Sequence, residues 1–301
     1  MNEANTGVAD DFRSVPAHYV VEPDSQTVCF VFNSPHSGRH YPRRFLDMVR
    51  LDAHGIRRSE DCHVDLLFRH VARQGAPLLA ANFPRAYLDV NREAFELDPK
   101  MFSDSLPSFA NMRSVRVAGG LGTVPRIVSE GVHIYDGKLR AAEALLRVEH
   151  VYKPYHARLR RMLLSTHARF GHAVLVDCHS MPASVRTGDK SGSADFIVGD
   201  RFGTSASAVV SEHAISLLKG MGYAVAYNKP YAGGFITEHY GRPPRGLHAI
   251  QIEINRGLYL DESSYEPSAG FASLRDDLER FTQALTGMPA DWLSPSVMAA
   301  E

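Results

Sequence analysis

Short apolar runs rich in β-branched residues alternate with stretches of helical period along most of the chain. VCFVF (28–32), PLLAA (77–81), HAVLVD (172–177), DFIVG (195–199), YAVAY (223–227) and HAIQIEIN (248–255) predict strands, most of them apolar throughout. Between them, residues 65–74 and 205–221 set apolar side chains at helical spacing, and residues 271–287 close the pattern with another helix. A long helical pattern also runs from Leu139 to Phe170, with a bend expected at Pro154. This rhythm predicts an α/β fold: a mostly parallel or mixed central sheet with helices on both faces. Residues 1–26 are polar with scattered prolines and predict a loosely attached arm, leaving 27–301 as a single α/β domain. Residues 84–136 fit neither period and read as a long irregular excursion, a kind of segment that compact domains usually keep for function.

Composition narrows the function classes. With 44% hydrophobic and 22% charged residues among 301, the chain can bury a sizeable core, which argues against disorder. Lys+Arg at 33 against Asp+Glu at 34 leaves no basic excess for a general nucleic-acid binder. Cys29, Cys62 and Cys178 are too few for a disulfide framework or a four-cysteine zinc site, and an odd cysteine favours a reducing compartment. The first residues lack a basic start and an apolar stretch, and no apolar run approaches the ~20 residues that span a bilayer. A cytoplasmic protein without membrane or nucleic-acid partners is expected.

Ligands of an open α/β sheet bind beyond the carboxyl ends of its strands. Two of the fifteen histidines stand there: His36 in NSPHSG after the first predicted strand, and His179 in DCHSMP after HAVLVD. SEDCHVD (59–65) offers a carboxylate to complete a two-histidine, one-carboxylate metal site, with Asp61 foremost and Glu60 and His63 as competing candidates. In HAIQIEIN, alternation puts Ile250, Ile252 and Ile254 on one face and Gln251, Glu253 and Asn255 on the other. A carboxylate in such a strand is costly to bury unless it serves a polar cavity, where Glu253 could move protons between a water and a leaving nitrogen. Arg85 and Arg92 (preceded by Asn91), Arg126 and Arg256 lie near turns and strand ends, and guanidinium forks suit a substrate bearing carboxylates. Gly233-Gly234, followed by Thr237, His239 and Tyr240, predicts a shaped pocket loop, since neither it nor AGGLGTVP (118–125) matches a phosphate-loop pattern. The mechanistic rival is a thiolate at Cys178. Neighbours at a strand end point opposite ways, so a His179 that faces the site predicts Cys178 in the core.

Together, NSPHSG (33–38), SEDCHVDLLF (59–68), FPRAYLDVNR (83–92), KPYHARL (153–159), LVDCHS (175–180), GGFITEHYG (233–241) and HAIQIEINRGLYLDE (248–262) resemble, in order, the N-formylglutamate amidohydrolase family. The resemblance implies the architecture of zinc-dependent exopeptidases (phosphorylase/hydrolase-like), related to carboxypeptidases and aspartoacylase-like deacylases. It also implies metal-assisted hydrolysis of a small N-acyl amino acid, N-formyl-L-glutamate, to formate and L-glutamate in histidine degradation. Carried over residue by residue, it implies His36, Asp61 and His179 as metal ligands and Glu253 as general base. Asn91 and Arg92 would hold a substrate carboxylate, with Thr237 and His239 in the substrate loop. Zn2+ suits the ligand types, with manganese, cobalt or iron as alternatives. One departure stands out: ITEHYG places Glu238 where ITRHYG is common in the family. An acid there would repel a γ-carboxylate, so either Arg242 or Arg126 takes over or the substrate is another N-acyl amino acid. A non-catalytic protein binding an acylated amino acid is the reading from a different class.

Overall fold

A computed structural model of the chain describes residues 7, 8, 10–186 and 193–293. The strands are β1 (His18–Val21), β2 (Phe30–Ser34), β3 (Leu78–Ala81), β4 (Ile127–Ser129), β5 (Val132–His133), β6 (Ala173–Met181), β7 (Phe196–Gly199), β8 (Val225–Tyr227), β9 (Leu247–Asn255), β10 (Leu260–Asp261) and β11 (Glu266–Pro267). Seven of them form one sheet in the order β1-β3-β2-β6-β9-β7-β8. β2 and β9 both run parallel to β6, the β7–β8 pair is parallel, and β7 is antiparallel to β9. The sheet is therefore mixed and mostly parallel, the class expected from apolar strands separated by helices.

All six predicted strands are present. β1 is an addition: residues 18–21 lie in the stretch that composition marked as an arm, yet HYVV forms an edge strand next to β3. Residues 1–6 and 9 of that arm lie outside the described residues. The long helical pattern divides into Ala141–Arg147, a π-helical turn at Val148–Tyr152, and Lys153–Phe170. Pro154 has no N–H and its ring crowds the carbonyl four residues back, so the widened turn stands where α-helical bonding would fail. The pattern at 65–74 splits likewise into an α-helix, Val64–Phe68, and a 3-10 turn, Arg69–Gln74, ended by Gly75 at φ 85°.

The chain divides into two compact units. One gathers the described residues up to Tyr19 with Pro35–Asp61 and Ala80–Arg158. Here lies the irregular excursion, which compensates for its scarce apolar periodicity with a buried cation. The Arg147 guanidinium, fully buried, sits 4.1 Å from the Tyr87 ring centroid. Its Nη1 donates to the Tyr87 carbonyl (2.9 Å) and to Tyr135 Oη (2.8 Å), and its Nε to Glu143 (2.9 Å). Two tyrosines of the excursion are thereby tied to the helix Ala141–Arg147, because a buried charge tolerates no loss of its partners.

The other unit comprises Val20–Ser34, Cys62–Leu79 and the described residues from Leu159 on. Phe30, Phe32, Val174, Val176, Cys178, Phe196, Val198, Ile250, Ile252 and Ile254 bury one face of the sheet in a core completed by the helices Ala208–Gly220 and Phe271–Thr286. Among the described residues, no helix is long and apolar enough to cross a membrane.

Candidate metal centre

Parallel pairing keeps partners on the same face, so the register of β6 and β9 decides what the second face of the sheet presents. Asp177 pairs with Gln251 and His179 with Glu253, while Asn33 at the end of β2 pairs with Asp177. Asn33, Asp177, His179, Gln251 and Glu253 thus share the face opposite the core, and all five are buried. Asn33 Nδ2 donates to Asp177 Oδ1 (2.7 Å), and His179 Nε2 donates to Asp177 Oδ2 (2.9 Å). Cys178 points the other way into the core, where burial, followed by the charge of Asp177, pushes its thiol well above the ordinary value. A nucleophilic thiolate has no support there.

His36 follows β2 in a turn that passes close to the chain near Phe83: a side chain at Gly38 would lie 2.1 Å from the Phe83 carbonyl oxygen. The His36 carbonyl accepts from the Asp61 N–H (2.9 Å), and His36 Nδ1 lies 3.5 Å from Asp61 Oδ2. His36 Nε2 donates to Asp89 Oδ1 (2.8 Å). A carboxylate can only accept, so both histidines spend Nε2–H on an aspartate, and Nδ1 is the nitrogen that carries a lone pair.

His36, Asp61 and His179, each no more than 3% exposed, offer ligand atoms that all lie within 4.8 Å of one another. These donors fit a divalent cation: two neutral imidazole nitrogens and one carboxylate, buried, with two of the three oriented by carboxylates behind them. The sequence alone left the acid open, and local geometry explains the selection. Glu60 accepts from Tyr41 Oη and from Arg57 Nε (3.1 Å). His63 adopts left-handed backbone, φ 62°, at the start of a helix, and its Nε2 donates to the Tyr265 carbonyl (3.0 Å). Neither joins the cluster of Asp61. His40, His70 and His156 are engaged with the Asp11 carbonyl, Thr282 Oγ1 and the Val90 carbonyl.

Asp89 gathers the expected substrate-binding residues of FPRAYLDVNR. Its Oδ2 accepts from Arg85 Nε (3.0 Å) and lies 3.5 Å from Arg92 Nη2, while Oδ1 also accepts from the Asn91 N–H (2.8 Å). Burial by itself raises the Asp89 carboxyl, but Arg92, Arg85 and His36 together hold it well below the usual carboxylate range. Arg92 is buried too, and burial lowers its pKa to about 10 in spite of Asp89. Its Nε and Nη1 donate to the carbonyls of Leu121 (2.8 Å) and Asn91 (2.7 Å).

The remaining predicted residues are placed separately. Arg126 Nε is bound by Asp98 (2.7 Å). Thr237 is buried in the helix Phe235–Tyr240, its hydroxyl donating to the Gly234 carbonyl (2.9 Å). His239 stacks on Phe235, and burial lowers its pKa, as do the charges of Arg160 and Arg242. Arg242 Nη1 donates to the carbonyls of Glu238 and Gly241, each at 2.6 Å, and Arg256 Nε donates to Ser180 Oγ (3.1 Å). Glu238, the departure in the loop, pairs with Arg201 (2.7 Å). Sequence reasoning passed over Asp89 and Asp177, and placed Gln251 on the Glu253 face without a role. The predicted strand stopped at residue 177 and left His179 in the turn beyond it; β6 instead continues to Met181, held by its pairing with β9, and this puts Asp177 and His179 on one face.

Comparison with known proteins gives the family and the fold. The family model for N-formylglutamate amidohydrolase matches residues 28–260. The chain is 34% identical to a crystal structure of N-formylglutamate amidohydrolase from Ralstonia eutropha JMP134, covering 92% of this chain and 98% of that one with a TM-score of 0.85. It is 28% identical over 258 residues to N-formylglutamate deformylase of Pseudomonas putida, 85% of this chain and 88% of the relative. To N-formylglutamate deformylase of Pseudomonas aeruginosa it is 30% identical over 228 residues, 75% of this chain and 77% of the relative.

Proposed function

Because the chain belongs to the N-formylglutamate amidohydrolase family, we propose that it hydrolyses N-formyl-L-glutamate to formate and L-glutamate, a reaction of histidine degradation. The observation that carries this reading is the buried set His36, Asp61 and His179, with Glu253 as the register partner of His179. These three residues would hold a divalent cation, zinc by ligand type. A bound cation supplies Lewis acidity, acidifying water and polarising a carbonyl.

The protein's own groups do the rest. Glu253, on the same sheet face as His179, takes a proton from the attacking water and returns it to the leaving nitrogen. Asp89 and Asp177 keep the two imidazoles in one tautomer and one orientation. Asn91 and Arg92 hold a substrate carboxylate, while Arg85, held by Asp89, stands beside them as a second cation. Thr237 and His239, carried by the helix Phe235–Tyr240 that stands where a loop was expected, contribute to the substrate site with Arg126. Burial of the reacting groups excludes competing water and strengthens each charge interaction.

A second substrate reading rests on Glu238. An acid stands where ITRHYG of the family carries a cation, and although its exposed carboxylate is paired with Arg201, the lost cation leaves another N-acyl amino acid as the alternative substrate. The test is elemental analysis of the purified protein, followed by amine release from N-formyl, N-acetyl and N-succinyl amino acids before and after chelation. Glutamate release from N-formyl-L-glutamate, abolished by chelator and restored by zinc, is expected. Faster release from another member of the panel would move the substrate and keep the reaction. Ligand-induced stabilisation of the metal-loaded protein with no product from any of them would make it a binding protein.

A further inference from the structure

A side chain bonded to the Glu253 carboxylate comes from its own strand. Gln251 and Glu253 are two residues apart on β9, share a face and are both buried. Gln251 Nε2 donates to Glu253 Oε1 (2.7 Å), and Gln251 Oε1 accepts from the Gly234 backbone N–H (2.9 Å). A backbone N–H can only donate. It therefore fixes which end of the Gln251 amide is oxygen, and the NH2 end must face Glu253. The usual freedom of a glutamine to turn over is removed by a main-chain group.

That main-chain group is itself held in place. Gly199 on β7 is the register partner of Gln251, and a side chain there would lie 2.7 Å from the Ala232 carbonyl carbon. The missing side chain lets the segment 232–234 descend onto β9. The Arg201 N–H donates to the Ala232 carbonyl (2.7 Å), and the Thr237 hydroxyl donates to the Gly234 carbonyl (2.9 Å). Gly233 adopts φ 114°, where any side chain would be strained and would meet Thr237 Oγ1 at 2.5 Å.

We propose that Gln251 is a positioning residue: anchored by the Gly234 N–H, it holds the Glu253 carboxylate in the orientation from which protons are moved. This inference rests on the reading of Glu253 as the general base. Its action is entirely through Glu253, which separates it from a residue that merely fills space.

The experiment is a double-mutant cycle on the metal-loaded full chain, assayed with N-formyl-L-glutamate or the panel member turned over fastest. Gln251→Met should lower kcat by about 10–100-fold, the scale of a misplaced catalytic group. KM should stay within about twofold, since substrate binding is untouched. Metal content and melting temperature are measured alongside. Gln251→Glu, isosteric and still an acceptor for the Gly234 N–H, should lose kcat as well because its donor is gone. In the Glu253→Gln background, Gln251→Met should cause no further loss. A kcat within about twofold of wild type in Gln251→Met, or a loss that multiplies onto that of Glu253→Gln, would overturn the positioning role alone. Near-normal turnover by Glu253→Gln would remove the base itself. Absence of turnover by the wild-type protein on every panel member would overturn the hydrolase reading and the positioning role together.

Discussion

On one face of the β6–β9 pair, Val174, Val176 and Cys178 lie beside Ile250, Ile252 and Ile254; on the other, Asp177 and His179 lie beside Gln251 and Glu253. Backbone, register and burial are the same for both faces. The apolar face stabilises the fold, because each fully buried isoleucine contributes roughly 1.5–3 kcal/mol relative to exposure. The polar face begins with a desolvation penalty, which partners offset group by group: Asn33 and His179 for Asp177, Gln251 for Glu253, Gly234 for Gln251. A chain selected for stability alone would make the second face resemble the first. Buried ionisable groups retained at this cost make that face the candidate for chemistry.

This contrast can be broken from either side. Glu253→Gln keeps the shape and burial of the polar face and should lower turnover by about 10²–10⁴-fold while metal content and melting temperature hold. A rate close to wild type would move the base elsewhere. Ile252→Ala, on the opposite face of the same strand, should cost about 2–5 kcal/mol in denaturant unfolding. The residual folded protein should keep normal KM and metal content, and a selective loss of metal would mean that the faces are not independent. Asp177→Asn keeps the size of the side chain behind His179 but removes its charge. Metal affinity, measured against a competing chelator, should weaken by about 10–100-fold with little change in unfolding free energy. Unchanged affinity would reduce Asp177 to a packing group.

Much of this was legible in the chain. The alternation in HAIQIEIN assigned each side chain of β9 to its face, and the exit of β2 marked His36; His179, expected in the turn after its strand, lies instead within β6, which runs on to Met181. The same alternation placed Cys178 in the core, as found. Other features were not legible, and the reasons are physical. β1 is four residues long and is stabilised by pairing at the sheet edge, so composition alone gave it no strand signal. The break before Pro154 could be foreseen, but not that it would take the form of a π-turn. Asp89 lies 53 residues beyond His36, within an excursion that has no regular period.

Local sequence determined periodicity, and periodicity determined the strands, their faces and the histidine that follows β2. Periodicity is a property of neighbouring residues, so it survives without knowledge of the rest of the chain. Which acid completes the cluster was decided only in three dimensions: Glu60 is drawn to Arg57 and Tyr41, the left-handed turn at His63 directs its ring to Tyr265, and Asp61 remains beside His36. The partners Asp89 and Gly234 likewise come from separate stretches of the chain. Hydrogen bonds and ion pairs act over a few ångströms of space, whatever the separation in sequence, and only folding fixes which groups come that close.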